Sequence, residues 1–448
     1  RGALTYLAIW NGKAVAFCGD AVCAGGTVHQ PYHLEWDHWT ADGALAAWHG
    51  LERLGTCRVD LLCPSHGPVV TDRACVRQAQ KRVMAFVKAK GSVCAGEVDR
   101  WFDLERLDCG AYRVLPDLYH FGGNSYLLAG DSGEGLVVDP TLPSVKQVKA
   151  LMAEVGVEKI TAVTASHYHR DHSDGLNWMR EEMGAKIWLH PWVAEPIRDR
   201  DVLDVPWLPG EAVVPDRVLP QAGRFRWNRY GFDIRPFPGQ TWWHCAFDTE
   251  VFGQRVLFSG DNFQPPTRWN GTGGFCAFNG CRFSEGFSKS TQAVLDLEPD
   301  LVCNGHGCIY QYHAGHYRRI LRWSEQAERA VQELCPSPAW LSDYDCRAMA
   351  FTPFRSAVKA GRTVRLYFQV RNEARRAMTV ESWIVLPDRW KATPERRKIQ
   401  VLGKGVRKAG FQVRVPRNTP EGRYVLASET RVDGRLIGEG AVALVDVV

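Results

Sequence analysis

Between residues 112 and 306, short apolar runs alternate with segments of helical spacing. NSYLLAG and GLVVDP predict a hairpin of buried strands. SVKQVKALMAEV carries its apolar residues at helical spacing, and KITAVTAS after it predicts a strand. GLNWMREEMG predicts the next helix and KIWLHP the next strand. YGFDIRPFPG, a hairpin in CAFDTEVFGQRVLFSGD, a helix in FSKSTQAVLDL and a strand in PDLVCNGHG follow. A long amphipathic helix in HYRRILRWSEQAERAVQEL closes the region. Beyond residue 345 the period changes to two. In TVRLYFQVR, Val364, Leu366, Phe368 and Val370 take one face, and Arg365, Tyr367, Gln369 and Arg371 the other. About seven such strands, broken by Gly, Pro and Asp-Gly, predict an antiparallel, Ig-like β-sandwich over 345–448.

The first 95 residues repeat part of the central plan. GKAVAFCGD at 12–20 aligns with GQRVLFSGD at 253–261, and DLLCPSHG at 60–67 with DLVCNGHG at 300–307. Asp20 precedes His66 by 46 residues, and Asp261 precedes His306 by 45. Two matches at nearly equal spacing predict a tandem duplication in which only the second copy is complete. Residues 1–95 then correspond to the C-terminal half of the repeated fold and 105–335 to the whole of it. Ala3 stands where the second copy has His244, and no His-rich stretch precedes it. The first copy is therefore expected to hold no metal and to be inactive.

That His-rich stretch is SHYHRDHSDG, which places His167, His169, Asp171 and His172 directly after a predicted strand. Zinc takes imidazole nitrogens and carboxylate oxygens, usually four donors, with one position left open in catalytic sites. Strand alternation would send His167, His169 and Asp171 one way and His172 another, so one loop could serve two neighbouring metals. Three more candidates each end a strand-like segment: His244 in TWWHCAF, Asp261 in FSGD and His306 in NGHG. A solvated polar loop accounts poorly for the cluster and not at all for the other three.

On SHYHRDHSDG, Asp139 in VVDP, His244, Asp261 and His306, residues 105–335 resemble the metallo-β-lactamase-fold superfamily of metal-dependent hydrolases. The resemblance implies an α/β fold, an αββα sandwich with its site along one edge of two sheets. It implies that His167, His169 and His244 hold one metal, that Asp171, His172 and His306 hold the other, and that Asp261 bridges them. Asp139 would orient a ligand from behind. Two Zn2+ ions would share a hydroxide that attacks an ester, thioester, lactone or lactam, with Asp171 as the catalytic residue that orients it. Histidine at 169 fits a zinc hydrolase better than the oxygen-reducing di-iron branch, which has glutamate there. Many relatives carry histidine where this chain has Gln240, a position that is not usually a ligand. A phosphodiesterase or nuclease of the same superfamily and a non-catalytic scaffold are the alternative readings. Tyr168, Trp243, Phe263 and Trp269 are candidates for the pocket wall.

Composition adds less. Hydrophobic residues make up 45% of 448, enough for a packed core in two to four domains. No run of 18 apolar residues occurs, so no membrane span is expected. The chain opens on Arg1, which predicts that the native N-terminus lies upstream. The 14 cysteines include no CxxC pair. Cys276 with Cys281 and Cys303 with Cys308 leave a disulfide, a thiol near metal and buried thiols all open. Residues 336–448 carry 21 Lys+Arg against 11 Asp+Glu, while the whole chain is only +5. This basic tail suits a soluble charged surface, or an acidic partner or a polysaccharide, and leaves nucleic acid open. The tail also resembles the Ig-like sandwich modules appended to exported bacterial hydrolases, in VPRNTPEGRYVLASE, which favours export.

Overall fold

The structure, a computed structural model, describes residues 4–29, 42–91, 104–200, 203, 205–263, 283–307, 309–335, 348–372 and 374–448. It divides into two compact units, Arg1–Pro336 and Ser337–Val448. Among the described residues no helix is long and apolar enough to cross a membrane.

Two facing sheets with flanking helices dominate the first unit. The larger has eight strands. Its middle is Ser125–Ala129, Glu134–Val138, Lys159–Thr164 and Lys186–Leu189, and the last three of these run parallel. Both faces are covered, so these strands read as near-continuous apolar runs. The helix Leu142–Val155 is closed at its start by a capping box between Thr141 and Ser144, and ends on left-handed Gly156. The second sheet has six strands, with Tyr230–Pro236, Cys245–Val251, Gln254–Gly260 and Leu301–Asn304 at its centre. Tyr126 joins the sheets. Its ring packs edge-on against Phe258 at 5.5 Å, and its hydroxyl donates to the Asn304 carbonyl at 2.5 Å.

Residues 4–29 and 42–91 form a three-stranded sheet with two helices, and the local geometry parallels the six-stranded sheet closely. Lys13–Gly19 pairs in parallel with Leu61–Pro64 as Val15↔Leu61, Phe17↔Cys63 and, after a register shift, Gly19↔Pro64. Gln254–Gly260 pairs with Leu301–Asn304 as Val256↔Leu301, Phe258↔Cys303 and, after a register shift, Gly260↔Asn304. Asp60 accepts from the Ala14 amide at 2.8 Å, and Asp300 from the Arg255 amide at 2.7 Å. Asp20 and His66 meet at 2.6 Å. Burial differs, however. Tyr6–Trp10 is exposed at every residue, whereas its counterpart Cys245–Val251 is buried except at Glu250. The segment is held to the rest of its unit through helix Ala314–Leu334. Val28 donates to the Leu334 carbonyl at 3.0 Å, and Trp323 donates to the Ala89 carbonyl.

The second unit is a sandwich of a four-stranded and a five-stranded sheet, nine strands where the pattern suggested seven, and antiparallel as expected except that Arg355–Val358 pairs in parallel with Arg435–Val447. The extra ones include Arg355–Val358 and Lys391–Thr393, each with a single buried residue and hence little periodic signal. In Thr363–Arg371 the alternation holds throughout: Val364, Leu366, Phe368 and Val370 are all in the core. Every cysteine among the described residues is a free thiol, Cys303 included. Cys276, Cys281 and Cys308 lie outside those residues.

Candidate metal centre

Each motif residue stands where a strand ends. Asp139 follows Glu134–Val138, His167 lies just beyond Lys159–Thr164, Asp261 follows Gln254–Gly260, and His306 lies just beyond Leu301–Asn304. Parallel pairing aligns these carboxyl ends within each sheet, so their loops converge on one edge. His167 also bridges to His244, tying the two sheets at that edge.

The chain does not stay extended through the His-rich stretch. After His169 it enters the short helix Arg170–Ser173. This corrects the alternation argument that put Asp171 on the side of His167 and His169. The helical turn carries Asp171 and His172 away together. Donor atoms of His167, His169 and Asp261 lie within 4.8 Å of one another, and so do those of Asp171, His172 and His306. Asp261 stands between the groups. Its Oδ1 is 3.1 Å from His172 Nε2, and its Oδ2 is 3.3 Å from His306 Nε2 and 3.9 Å from His167 Nε2. His244 stacks on His167 at 4.8 Å. Asp171 is the exposed member of the set, with 47% of its side chain accessible, and its Oδ2 is 3.5 Å from His306 Nε2.

Burial holds the imidazoles neutral where no carboxylate compensates. It pushes His244 down to about 3, and it lowers His167 well below its usual value with help from His172, His169 and His244. At His172 burial also favours the neutral ring, but Asp261, Asp139 and Asp171 outweigh it and raise the group. Burial alone would raise Asp261; His306 and His172 reverse that and hold it ionised. His167 Nε2 and both nitrogens of His244 are buried without a hydrogen bond. An unmet polar group in that position costs about 1–3 kcal/mol. A metal ion takes such lone pairs, and neutral imidazoles with carboxylates are the donors that zinc prefers. The residues present thus fit a metal.

Asp139 sits behind the cluster. It accepts from the Ser166 amide at 2.6 Å and the Ser166 hydroxyl at 2.8 Å, and its Oδ2 is 3.1 Å from His172 Nδ1. Both Asp139 and His306 hold left-handed backbone, at φ 52 and 58, a strain of about 1–3 kcal/mol each that is typical of functional positions. Two residues escaped the sequence reading. Asn124 donates to the Asp171 carbonyl at 2.8 Å and accepts from the His306 amide at 2.8 Å, joining two ligand loops. Gln240, given no role from sequence, donates to Asp261 Oδ2 at 3.0 Å. A lone polar residue next to Gly or Pro reads the same whether it faces water or a buried carboxylate.

The aromatic expectation needs correcting. Tyr168, Trp243 and Phe263 have no accessible surface and are core residues, so they cannot wall a pocket. Trp269 lies outside the described residues. The ring that does border the cluster with an open face is Trp207, 37% exposed and edge-on to His169 at 5.3 Å.

With this geometry goes a family match: residues 118–306 fit the model of the Metallo-beta-lactamase superfamily, and this stretch of the chain is a domain of that superfamily. Among solved structures, a B3 metallo-β-lactamase with an active-site glutamic acid is 18% identical, covering 50% of this chain and 89% of its own, with a TM-score of 0.39. A subclass B3 metallo-β-lactamase of Bradyrhizobium japonicum is 14% identical, covering 50% of this chain and 95% of its own, with a TM-score of 0.38. No curated protein matches the sequence.

Proposed function

We propose that residues 105–335 are the catalytic domain of a zinc-dependent hydrolase acting on an ester, thioester, lactone or lactam. The observation that carries this is the convergence of His167, His169, His172, His244, His306, Asp171 and Asp261, with partnerless buried nitrogens on His167 and His244. His167, His169 and His244 would hold one ion, Asp171, His172 and His306 a second, and Asp261 would lie between them. Zinc bound there supplies a Lewis acid and lowers the pKa of water towards 7. The chain itself supplies order and proton handling. Asp139 and Ser166 fix the rings from behind, Gln240 fixes the Asp261 carboxylate, and Asn124 locks the His306 loop to Asp171. The exposed Asp171 carboxylate, next to His306, is the group placed to orient a reacting water and pass its proton to a leaving group. On this reading residues 1–95 are the second half of a degenerate earlier copy, and 345–448 are an accessory sandwich.

The test is zinc content together with turnover on a thioester, a lactone, a β-lactam and a bis-aryl phosphodiester. The reading expects about two zinc ions per chain and acyl-substrate hydrolysis abolished by chelation. Chain without tightly held metal would refute it, and phosphodiester cleavage alone would move the domain to the phosphodiesterase branch.

A further inference from the structure

One sheet face of the second unit carries basic side chains and no acidic ones. The outward positions of the four-stranded sheet are Ala350 and Thr352; Thr363, Arg365, Tyr367, Gln369 and Arg371; Val406, Lys408, Gly410, Gln412 and Arg414; and Lys391 and Thr393. No carboxylate occurs among them. Arg365, Lys391, Lys408 and Arg414 are all exposed, and none makes an ion pair among the described residues. Lys391 and Arg414 are direct cross-strand partners, an arrangement of like charges that weakens a sheet. The five-stranded sheet behaves differently. There Arg423 pairs bidentately with Asp446 at 2.8 and 3.1 Å, Arg396 faces Glu381 at 3.8 Å, and Trp383 donates to Glu429 at 2.9 Å. One outer face neutralises itself, and the other leaves Arg365, Lys391, Lys408 and Arg414 without an ion pair among the described residues.

We propose that this cationic face binds an acidic polysaccharide, a claim independent of the metal centre. Arg414 and Lys408 lie six residues apart on one strand, so the charged stripe runs about 20 Å, longer than a single small anion. Tyr367 sits at its midpoint, 40% exposed, opposite Gly410. The missing side chain at Gly410 lets the Tyr367 ring lie across that residue, with Cε1 3.4 Å from where a Cβ would stand, so that the ring's outer face is a flat shelf on which the CH face of a sugar ring can rest. Arg365 and Arg414 offer planar forks that match carboxylate or sulfate. Nucleic acid fits less well. Single strands are held by several stacked aromatic rings and this face has one. A four-stranded sheet is also wider than the ~12 Å major groove that admits a helix or a two-stranded ribbon.

Binding of the full chain to polygalacturonate, neutral dextran and poly(dT), measured across a salt series, tests the proposal. Polygalacturonate should bind, weakening as salt rises, and dextran should not. The variant Arg365→Gln/Lys408→Gln/Arg414→Gln should lose about tenfold or more in affinity, while Arg423→Gln on the opposite sheet changes it little. Lys391→Gln, which relieves the cross-strand repulsion, should weaken binding without lowering the melting temperature, so lost affinity is separable from lost fold. Equal binding by the triple variant, or poly(dT) binding tighter than polygalacturonate, would overturn it.

Discussion

Gly260 and Gly19 occupy matching places in the registers of the six-stranded and three-stranded sheets, and the pair offers a controlled perturbation. Both hold left-handed backbone, at φ +52 and +55. An alanine at either costs about 1–2 kcal/mol for that conformation. Their surroundings differ. A Cβ at Gly260 would lie 2.5 Å from Ser166 Oγ and 2.6 Å from His244 Nε2, whereas at Gly19 the nearest atom is Ser65 Oγ at 4.0 Å. Ordinary contact begins near 3.4 Å, so His244 would have to retreat by about 0.8 Å, and metal coordination tolerates only about ±0.2 Å. Overpacking adds about 1–3 kcal/mol. Gly19→Ala should therefore lower stability by about 1–2 kcal/mol and Gly260→Ala by about 2–5 kcal/mol. Only Gly260→Ala should lose zinc affinity, by about tenfold or more. Thermal unfolding with zinc content after dialysis reads both quantities. Equal zinc in the two variants would refute the claim that His244 is a ligand whose position Gly260 permits.

Replacing His167 and His169 together by alanine should remove at least one zinc and all hydrolysis; full metal content in the double variant would place the site elsewhere. Asn124→Ala should cost about 1–3 kcal/mol by stripping the His306 amide and Asp171 carbonyl of their partner, and drop zinc towards one per chain; two retained ions would contradict its role. Burial lowers His190 to about 4, and the ring uses Nε2 towards the Gln221 carbonyl at 2.8 Å and Nδ1 as acceptor for the Trp192 amide. The unfolded chain thus binds a proton that the folded one refuses between pH 6.5 and 4. About 3 kcal/mol of stability, present above pH 6.5, should be lost as the pH falls through that window, and less so in His190→Gln. Parallel melting curves in acid for the two proteins check it.

What the sequence made legible was what strands make periodic. Asp139, His167, Asp261 and His306 could be picked out because each ends an apolar run whose interior is buried, and the structure brings all four to one edge. Alternation alone misplaced Asp171, which the family resemblance groups with His172 and His306, because alternation holds only while the chain stays extended, and nothing local in SHYHRDHSDG marks His169 as the last extended residue. Asn124 and Gln240 act through single hydrogen bonds to distant residues, which leave no period behind. The aromatic reading failed for a related reason: apolar residues beside a ligand line a core and a pocket with the same letters.

The seam between residues 4–91 and helix Ala314–Leu334 has a consequence during synthesis. Between Gly91 and Ala314 lie 222 residues. At about 5–20 residues per second, helix Ala74–Gly91 waits some 11–44 s on the ribosome before the helix that packs against it emerges. For that interval the partners of Leu334 and Trp323 stand open on the segment that also carries Leu7, Ile9 and Trp10. The nascent chain therefore presents sticky surface for many seconds, and its yield should depend on holdase chaperones more than its final stability would suggest.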